Sequence, residues 1–160
     1  MPQTICATVI LARGGSKGVP DKNLRPVRAA VAAQSQSAVY VSTDDAAIAA
    51  EAQHHGAQVI DRPAEISNDT ASSEAGWLHA LPHVRADLPG LTHLTFLQCT
   101  SPFISADDID ACLAALTQAK AACALSVVED HSFLWGVDAQ GLGVGQNNDQ
   151  QQQRKRRQDL

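Results

Sequence analysis

Five short, β-branched apolar runs recur along the chain at intervals that leave room for a helix, and this rhythm restricts the fold more than any other feature. They lie at 5–11, 38–41, 58–60, 91–97 and 122–128, each bounded by turn residues. Apolar runs of that length, without strict alternation, read as strands buried on both faces, the habit of parallel sheets. Helical patterns begin near Asp45, near Ala71 and near Ala106, so strand and helix alternate. That order predicts an α/β fold, a mostly parallel sheet with helices on both faces. With 44% apolar side chains among 160 residues, one ordinary core can be filled.

Charge and composition narrow the function. The 12 basic and 17 acidic side chains leave a net charge of −5, which argues against a nucleic-acid-binding surface. The two Trp, one Tyr and three Phe form no cluster on which bases would stack. The longest apolar run, 5–12, is too short to span a bilayer. Met1-Pro2-Gln3-Thr4 lacks the basic side chain of a secretory signal. Cys6, Cys99, Cys112 and Cys123 form no C-x-x-C pair and read as reduced thiols. A cytoplasmic protein, without nucleic-acid or membrane partners, is the expectation. His79 and His83 stand four apart, a spacing that suits one metal ion. Pro82 between them is expected to end the helix, so surface or capping roles are the plainer reading.

Local signals set the boundaries. Ser105 and Asp108 have capping-box spacing, and Ile109, Leu113 and Leu116 then recur on one helix face. Gly56 is placed as the left-handed residue after the helix that follows Asp45. About ten residues over 28–37 connect the first loop to the second strand, near the lower limit for a parallel crossover, so the chain reads as shortened near 28–38. From Gly141 it turns Gln- and Asn-rich and ends in Arg154-Lys155-Arg156-Arg157. The expected organisation is a ligand-binding α/β domain over 1–140 and a polar loop or tail over 141–160 that leads into a further C-terminal part.

The segment most suggestive of chemistry follows the first strand: Ala12-Arg13-Gly14-Gly15-Ser16-Lys17-Gly18-Val19-Pro20-Asp21-Lys22-Asn23. Its glycines permit a tight turn that presents backbone N–H groups, and Arg13, Lys17 and Lys22 supply cations. Such a loop suits a polyphosphate. A nucleoside triphosphate carries about four negative charges, which three cations and several amides can largely offset once water is excluded. The spacing is neither that of a Walker A loop nor G-x-G-x-x-G.

Other polar residues fall at the same edge of the predicted sheet. Asp44 and Asp45 follow the second strand, Arg62 the third, and Gln98, Thr100 and Ser101 the fourth. Carboxyl ends of strands are where open α/β sheets bind ligands. Asp44 is expected to cap the next helix. Arg62 is open between a surface residue and a ligand contact. The run Asn68, Asp69, Thr70, Ser72 and Ser73 precedes a helix, where capping is expected and contact with a base or ribose is an added option.

Taken together, these motifs resemble those of the acylneuraminate cytidylyltransferases, the CMP-sialic acid synthetases. The loop from Ala12 to Leu24 is similar to that family's signature. Val41-Ser42-Thr43-Asp44-Asp45, Arg62-Pro63-Ala64-Glu65, Asp69-Thr70-Ala71-Ser72-Ser73, Leu97-Gln98-Cys99-Thr100-Ser101-Pro102, Ser126-Val127-Val128-Glu129 and Arg156-Arg157-Gln158-Asp159-Leu160 resemble further family motifs in family order. The resemblance implies a Rossmann-like nucleotidyltransferase that moves CMP from CTP to the anomeric hydroxyl of a nonulosonic, sialic-type acid and releases pyrophosphate. It implies that Arg13, Lys17 and Lys22, with the amides of Gly14, Gly15 and Ser16, hold the triphosphate. Asn23, Arg62, Ala71 and Ser73 would contact the nucleoside, and Gln98, Thr100, Ser101 and Gln158 the sugar acid. Arg156 or Arg157 would bring a cation toward the reacting groups, which sets a function beside the solvated-tail reading of that run.

Attack at the α-phosphorus builds charge on nonbridging oxygens and on the departing pyrophosphate, so such a site works by positioning and charge stabilisation. The resemblance implies Mg2+ as the cofactor, with an aspartate pair beyond Leu160 as its ligands and no metal ligand within residues 1–160. It also implies a homodimer in the full-length protein. Two alternatives stand beside this reading: a CTP-binding fragment without catalysis, and a related cytidylyltransferase acting on another acidic sugar.

Overall fold

A computed structural model describes residues 4–14, 24–129 and 132–147. These fall into two compact units, divided between Leu125 and Ser126.

In the first unit the order is β1 (Cys6–Leu11), α1 (Leu24–Ala32), β2 (Ala38–Thr43), α2 (Ala46–His54), β3 (Gln58–Asp61), a 3-10 turn at Ala64–Ile66, α3 (Ser73–Asp87), β4 (His93–Gln98) and α4 (Ala106–Ala119). One sheet has the order β3-β2-β1-β4 with every pair parallel, so four of the five expected strands form as read. In register, Val9 stands between Tyr40 and Phe96.

Alternating side chains supply two cores. On one face Ile10, Val41 and Leu97 pack with Val27 and Ala30 of α1, Ala52 of α2 and Ile109 of α4. On the other, Val9, Tyr40 and Ile60 meet Ala80 and Val84 of α3, and Trp77 tilts against Phe96 with ring centroids 4.4 Å apart. Helices therefore cover both faces, as doubly wound sheets require.

The crossover from β1 to β2 has room for a helix because α1 starts at Leu24, ahead of the stretch that looked too short. Pro26 sits in its first turn, where a missing N–H costs nothing. The following loop is tied to α4, since Asp110 accepts from the amides of Gln34 (3.0 Å) and Ser35 (2.9 Å). The capping box forms as expected, with Ser105 and Asp108 exchanging side-chain-to-amide bonds. Gly56 adopts φ +89° and closes α2.

Three expectations are corrected. The run 122–128 forms no strand among the described residues, and Leu125, Val127 and Val128 are exposed. β-branched composition favours a strand only where a partner edge accepts it. Pro82 does not end α3, which continues to Asp87. Pro82 lies on the solvent side, as does Leu78, whose carbonyl loses its helical donor, while Ala80 and Val84 are buried. Burial of the opposite face outweighs one missing bond. Finally, Asp45 and not Asp44 caps α2, accepting from the amides of Ala47 (2.8 Å) and Ile48 (3.0 Å).

In the second unit β5 (Trp135–Val137) pairs antiparallel with β6 (Gly143–Gly145), so this hairpin takes in part of the segment read as a polar tail. Asp138 organises its turn by accepting from the amides of Gln140 and Leu142. No helix among the described residues is long and apolar enough to cross a membrane.

Candidate functional site

The β-strand order reverses at β1, whose neighbours β2 and β4 are reached by connections running in opposite directions, and a crevice opens at the carboxyl ends of β1 and β4. A cleft of about 260 Å³ occupies this place, a little below the usual range of sites for small organic ligands. β1 and the residues just after it contribute Leu11, Ala12 and Arg13, and β4 and its exit contribute Phe96, Gln98, Cys99 and Thr100. The segment between β3 and α3 contributes Arg62, Ile66 to Asp69 and Ala71 to Ser73. Six of the residues to which the resemblance gives a site role thus meet in one concavity, Arg13, Arg62, Ala71, Ser73, Gln98 and Thr100, together with Asn68, Asp69 and Ser72 of the polar run.

Local chemistry explains how each arrives there. The polar run before α3 folds on itself: Asn68 donates to the Glu65 carbonyl and accepts from the Thr70 amide and hydroxyl, and Ser72 caps α3 through the Ala75 amide. The N-terminus of α3 therefore enters the cleft at Ser72 and Ser73, and its partial positive charge adds to that of the guanidinium groups. At the end of β4 the Thr100 hydroxyl donates to the Gln98 side chain (3.1 Å), and the Cys99 thiol points to the Leu11 carbonyl (3.4 Å). Ser101 donates its amide to the Gln98 carbonyl (3.1 Å) and is not among the lining residues.

Arg62 is buried, not on the surface, with its side chain 5% exposed. Its Nε donates to the Ser67 hydroxyl (3.0 Å) and a terminal nitrogen to the Ala12 carbonyl (3.1 Å). The same nitrogen lies 3.7 Å from an Asp44 carboxylate oxygen. Burial pushes the Arg62 pKa down, the adjacent Asp44 opposes that, and Arg13 adds to the lowering. Asp44, released from capping duty, also accepts from the Gly14 amide (3.2 Å). Gly14 leaves room for Asp45, because a Cβ there would stand 2.8 Å from an Asp45 carboxylate oxygen and would force that side chain to shift. Arg13 is ion-paired with the exposed Asp69.

The described cleft thus holds two cations, each beside a carboxylate, and excess positive charge for a polyphosphate would have to come from elsewhere. Lys17 and Lys22 lie outside the described residues, as do Gly15, Ser16, Asn23, Arg156, Arg157 and Gln158. Sequence reasoning did not anticipate the pairing of Asp69 with Arg13, or the contact of Asp44 with both Gly14 and Arg62. The adjacent acids after β2 were the available signal, since one helix needs only one N-cap.

The profile of a family described as cytidylyltransferase matches residues 7–160. An N-acylneuraminate cytidylyltransferase of Oncorhynchus mykiss is 34% identical over 165 residues, covering 96% of this chain and 37% of that protein. N-acylneuraminate cytidylyltransferase B of Danio rerio is 35% identical over 139 residues, 81% of this chain and 32% of its own. An N-acylneuraminate cytidylyltransferase of Escherichia coli O18:K1:H7 is 33% identical over 140 residues, 81% of this chain and 32% of its own. The chain spans about a third of the length of these curated relatives. Among solved structures, CMP:2-keto-3-deoxy-manno-octonic acid synthetase complexed with CTP is similar with a TM-score of 0.54 and 23% identity, over 74% of this chain and 49% of that one. This likeness shows the Rossmann-like nucleotidyltransferase fold.

Proposed function

Since the chain belongs to the cytidylyltransferase family, we propose that the protein transfers CMP from CTP to the anomeric hydroxyl of a nonulosonic acid and releases pyrophosphate. The observation that carries this reading is the convergence of Arg13, Arg62, Ala71, Ser73, Gln98 and Thr100 from separate segments on one cleft at the carboxyl edge. Each curated relative named above is a cytidylyltransferase by name, which favours turnover over binding alone.

In this reading Arg62, Ala71 and Ser73 surround the nucleoside with Asn23. Arg13, Lys17 and Lys22 grip the triphosphate and neutralise charge that grows on the departing pyrophosphate. Amide support for the phosphates falls to Gly15 and Ser16, because the Gly14 amide is already donated to Asp44. Gln98, Thr100, Ser101 and Gln158 orient the sugar acid, and Arg156 or Arg157 completes the charge near the reacting oxygen. Mg2+, the cofactor we infer, supplies charge neutralisation at phosphate oxygens when bound. Among the described residues no group of three His, Cys, Asp or Glu side chains fits a metal ion, and no step is assigned to it. A cytoplasmic homodimer completes the proposal, in keeping with four cysteines that form no disulfide.

Pyrophosphate release by the full-length protein, with CTP and a panel of eight- and nine-carbon 2-keto sugar acids, tests this. Turnover with a nine-carbon acid is expected. CTP binding without pyrophosphate release for any acceptor overturns the assignment.

A further inference from the structure

The exit of β1 is held from both sides of Arg13. One nitrogen of Arg62 donates to the Ala12 carbonyl (3.1 Å), and one oxygen of Asp44 accepts from the Gly14 amide (3.2 Å). That nitrogen and that oxygen are themselves 3.7 Å apart. A buried guanidinium and its carboxylate thus bracket the backbone of a single residue, and the side chain between them is the cation that lines the cleft. Asp45 closes the same corner sterically, filling the space where Gly14 would carry a Cβ. Neighbouring acids divide two tasks: Asp45 caps α2 and Asp44 holds the loop.

We propose that Asp44 is a positioning residue for phosphate binding, fixing through Gly14 and Arg62 the direction in which Arg13 and Gly14 leave β1. The inference rests on the reading that Arg13 meets the triphosphate. Asp44 need not touch a ligand, since it is not among the residues lining the cleft and one of its two oxygens is committed to an amide and a guanidinium of its own chain. Its worth lies in pre-organisation: a misplacement of about 1 Å at a reacting centre costs roughly a hundredfold in rate. A carboxylate is suited to the task because a charge-assisted bond to an amide is about twice as strong as a neutral one, and because it compensates the buried cation beside it.

Full-length Asp44→Ala and Asp44→Asn are compared with wild type. Calorimetry gives affinities for CTP and cytidine, kinetics give kcat and the KM for the sugar acid, and an NMR spectrum follows the Gly14 amide. Asp44→Ala should weaken CTP about tenfold or more while cytidine stays within about twofold. In turnover kcat should fall roughly 10- to 100-fold with little change in sugar-acid KM, and the Gly14 amide resonance should move upfield as its acceptor is lost. Asp44→Asn keeps an acceptor oxygen and should recover most of the CTP affinity.

A folded Asp44→Ala protein with wild-type CTP affinity, a parallel loss of cytidine, or an Asn variant no better than Ala overturns the proposal. If Asp44→Ala does not fold, Asp44→Asn decides alone. The Gly14 amide must stay hydrogen-bonded and CTP must bind within about threefold of wild type, and loss of either overturns the proposal. Wild type that releases no pyrophosphate removes the proposed function, while the Gly14 resonance still judges the bracket.

Discussion

Arg13 and Asp69 form an ion pair within the cleft, so the guanidinium proposed to meet a triphosphate already has a carboxylate for a partner. Asp69 is 87% exposed and Arg13 44%, and pairs placed so openly contribute about 0–1 kcal/mol. An incoming phosphate, with more charge than one carboxylate, displaces Asp69 at little cost. Asp69→Asn should therefore leave thermal stability nearly unchanged and raise CTP affinity about two- to fivefold at low ionic strength, with the gain shrinking in high salt. Calorimetric titrations at two salt concentrations check this, and a loss of CTP affinity would show that Asp69 serves the ligand directly.

Arg62→Ala removes the donors to the Ala12 carbonyl and the Ser67 hydroxyl and leaves Asp44 without its cation. Each buried group left unpaired costs about 1–3 kcal/mol, so the unfolding midpoint in urea should fall. CMP and CTP affinities should drop together if Arg62 serves the nucleoside end. Arg62→Lys should rescue little, because an ammonium cannot reproduce the fork that reaches two acceptors at once.

Gly14→Ala would place a methyl group 2.8 Å from one Asp45 carboxylate oxygen and 3.3 Å from its Cβ. Asp45 is held by two amides of α2 and has little freedom to move away. The expected cost is about 1–3 kcal/mol by thermal denaturation, as for other overpacked sites. CTP binding should weaken more than cytidine binding.

Acid should loosen the tie between α4 and the β1–β2 crossover. Ser35, through its side chain and its amide, and then the Gln34 amide hold the Asp110 carboxyl below its ordinary value of 3.8. A lowered folded-state pKa means stability that is present above the unfolded value and lost as pH falls through the folded one. The gap in melting temperature between wild type and Asp110→Ala should be widest at neutral pH and close progressively below pH 3.8. A constant gap across that range would show that charge plays no part.

Much of the first unit was legible because its rules are local. Residues such as Val9, Ile10, Val39 and Val41 sit in short buried runs of the kind that parallel sheets favour. Ser105 with Asp108, and Gly56, act within one helical turn of where they stand. The meeting of Arg62, Gln98 and Ser73 followed from knowing which end of a strand each terminates. What stayed hidden depends on through-space competition. Asp44 and Asp45 are chemically alike, and the start of α2 at Ala46 decides that Asp45 caps it while Asp44 turns to Gly14. Pro82 opposes its helix locally and loses to the burial of Ala80 and Val84 across the axis. The 122–128 run has strand composition, yet no pattern within it reveals whether an edge is offered. The hairpin of Trp135 and Gly145 went unread because glycine-rich strands carry no alternation.

The central strand has consequences for assembly kinetics. β1 can pair with β2 early, but its other edge waits for β4, and the bond from the Ile5 amide to the Thr92 hydroxyl spans 87 residues. Closing so long a loop carries an entropic toll that nearby contacts escape, and nonlocal pairing of this sort slows folding. The crevice between β1 and β4 is then among the last features to mature, so nucleotide affinity during refolding would report arrival of the finished sheet, not the collapse that precedes it.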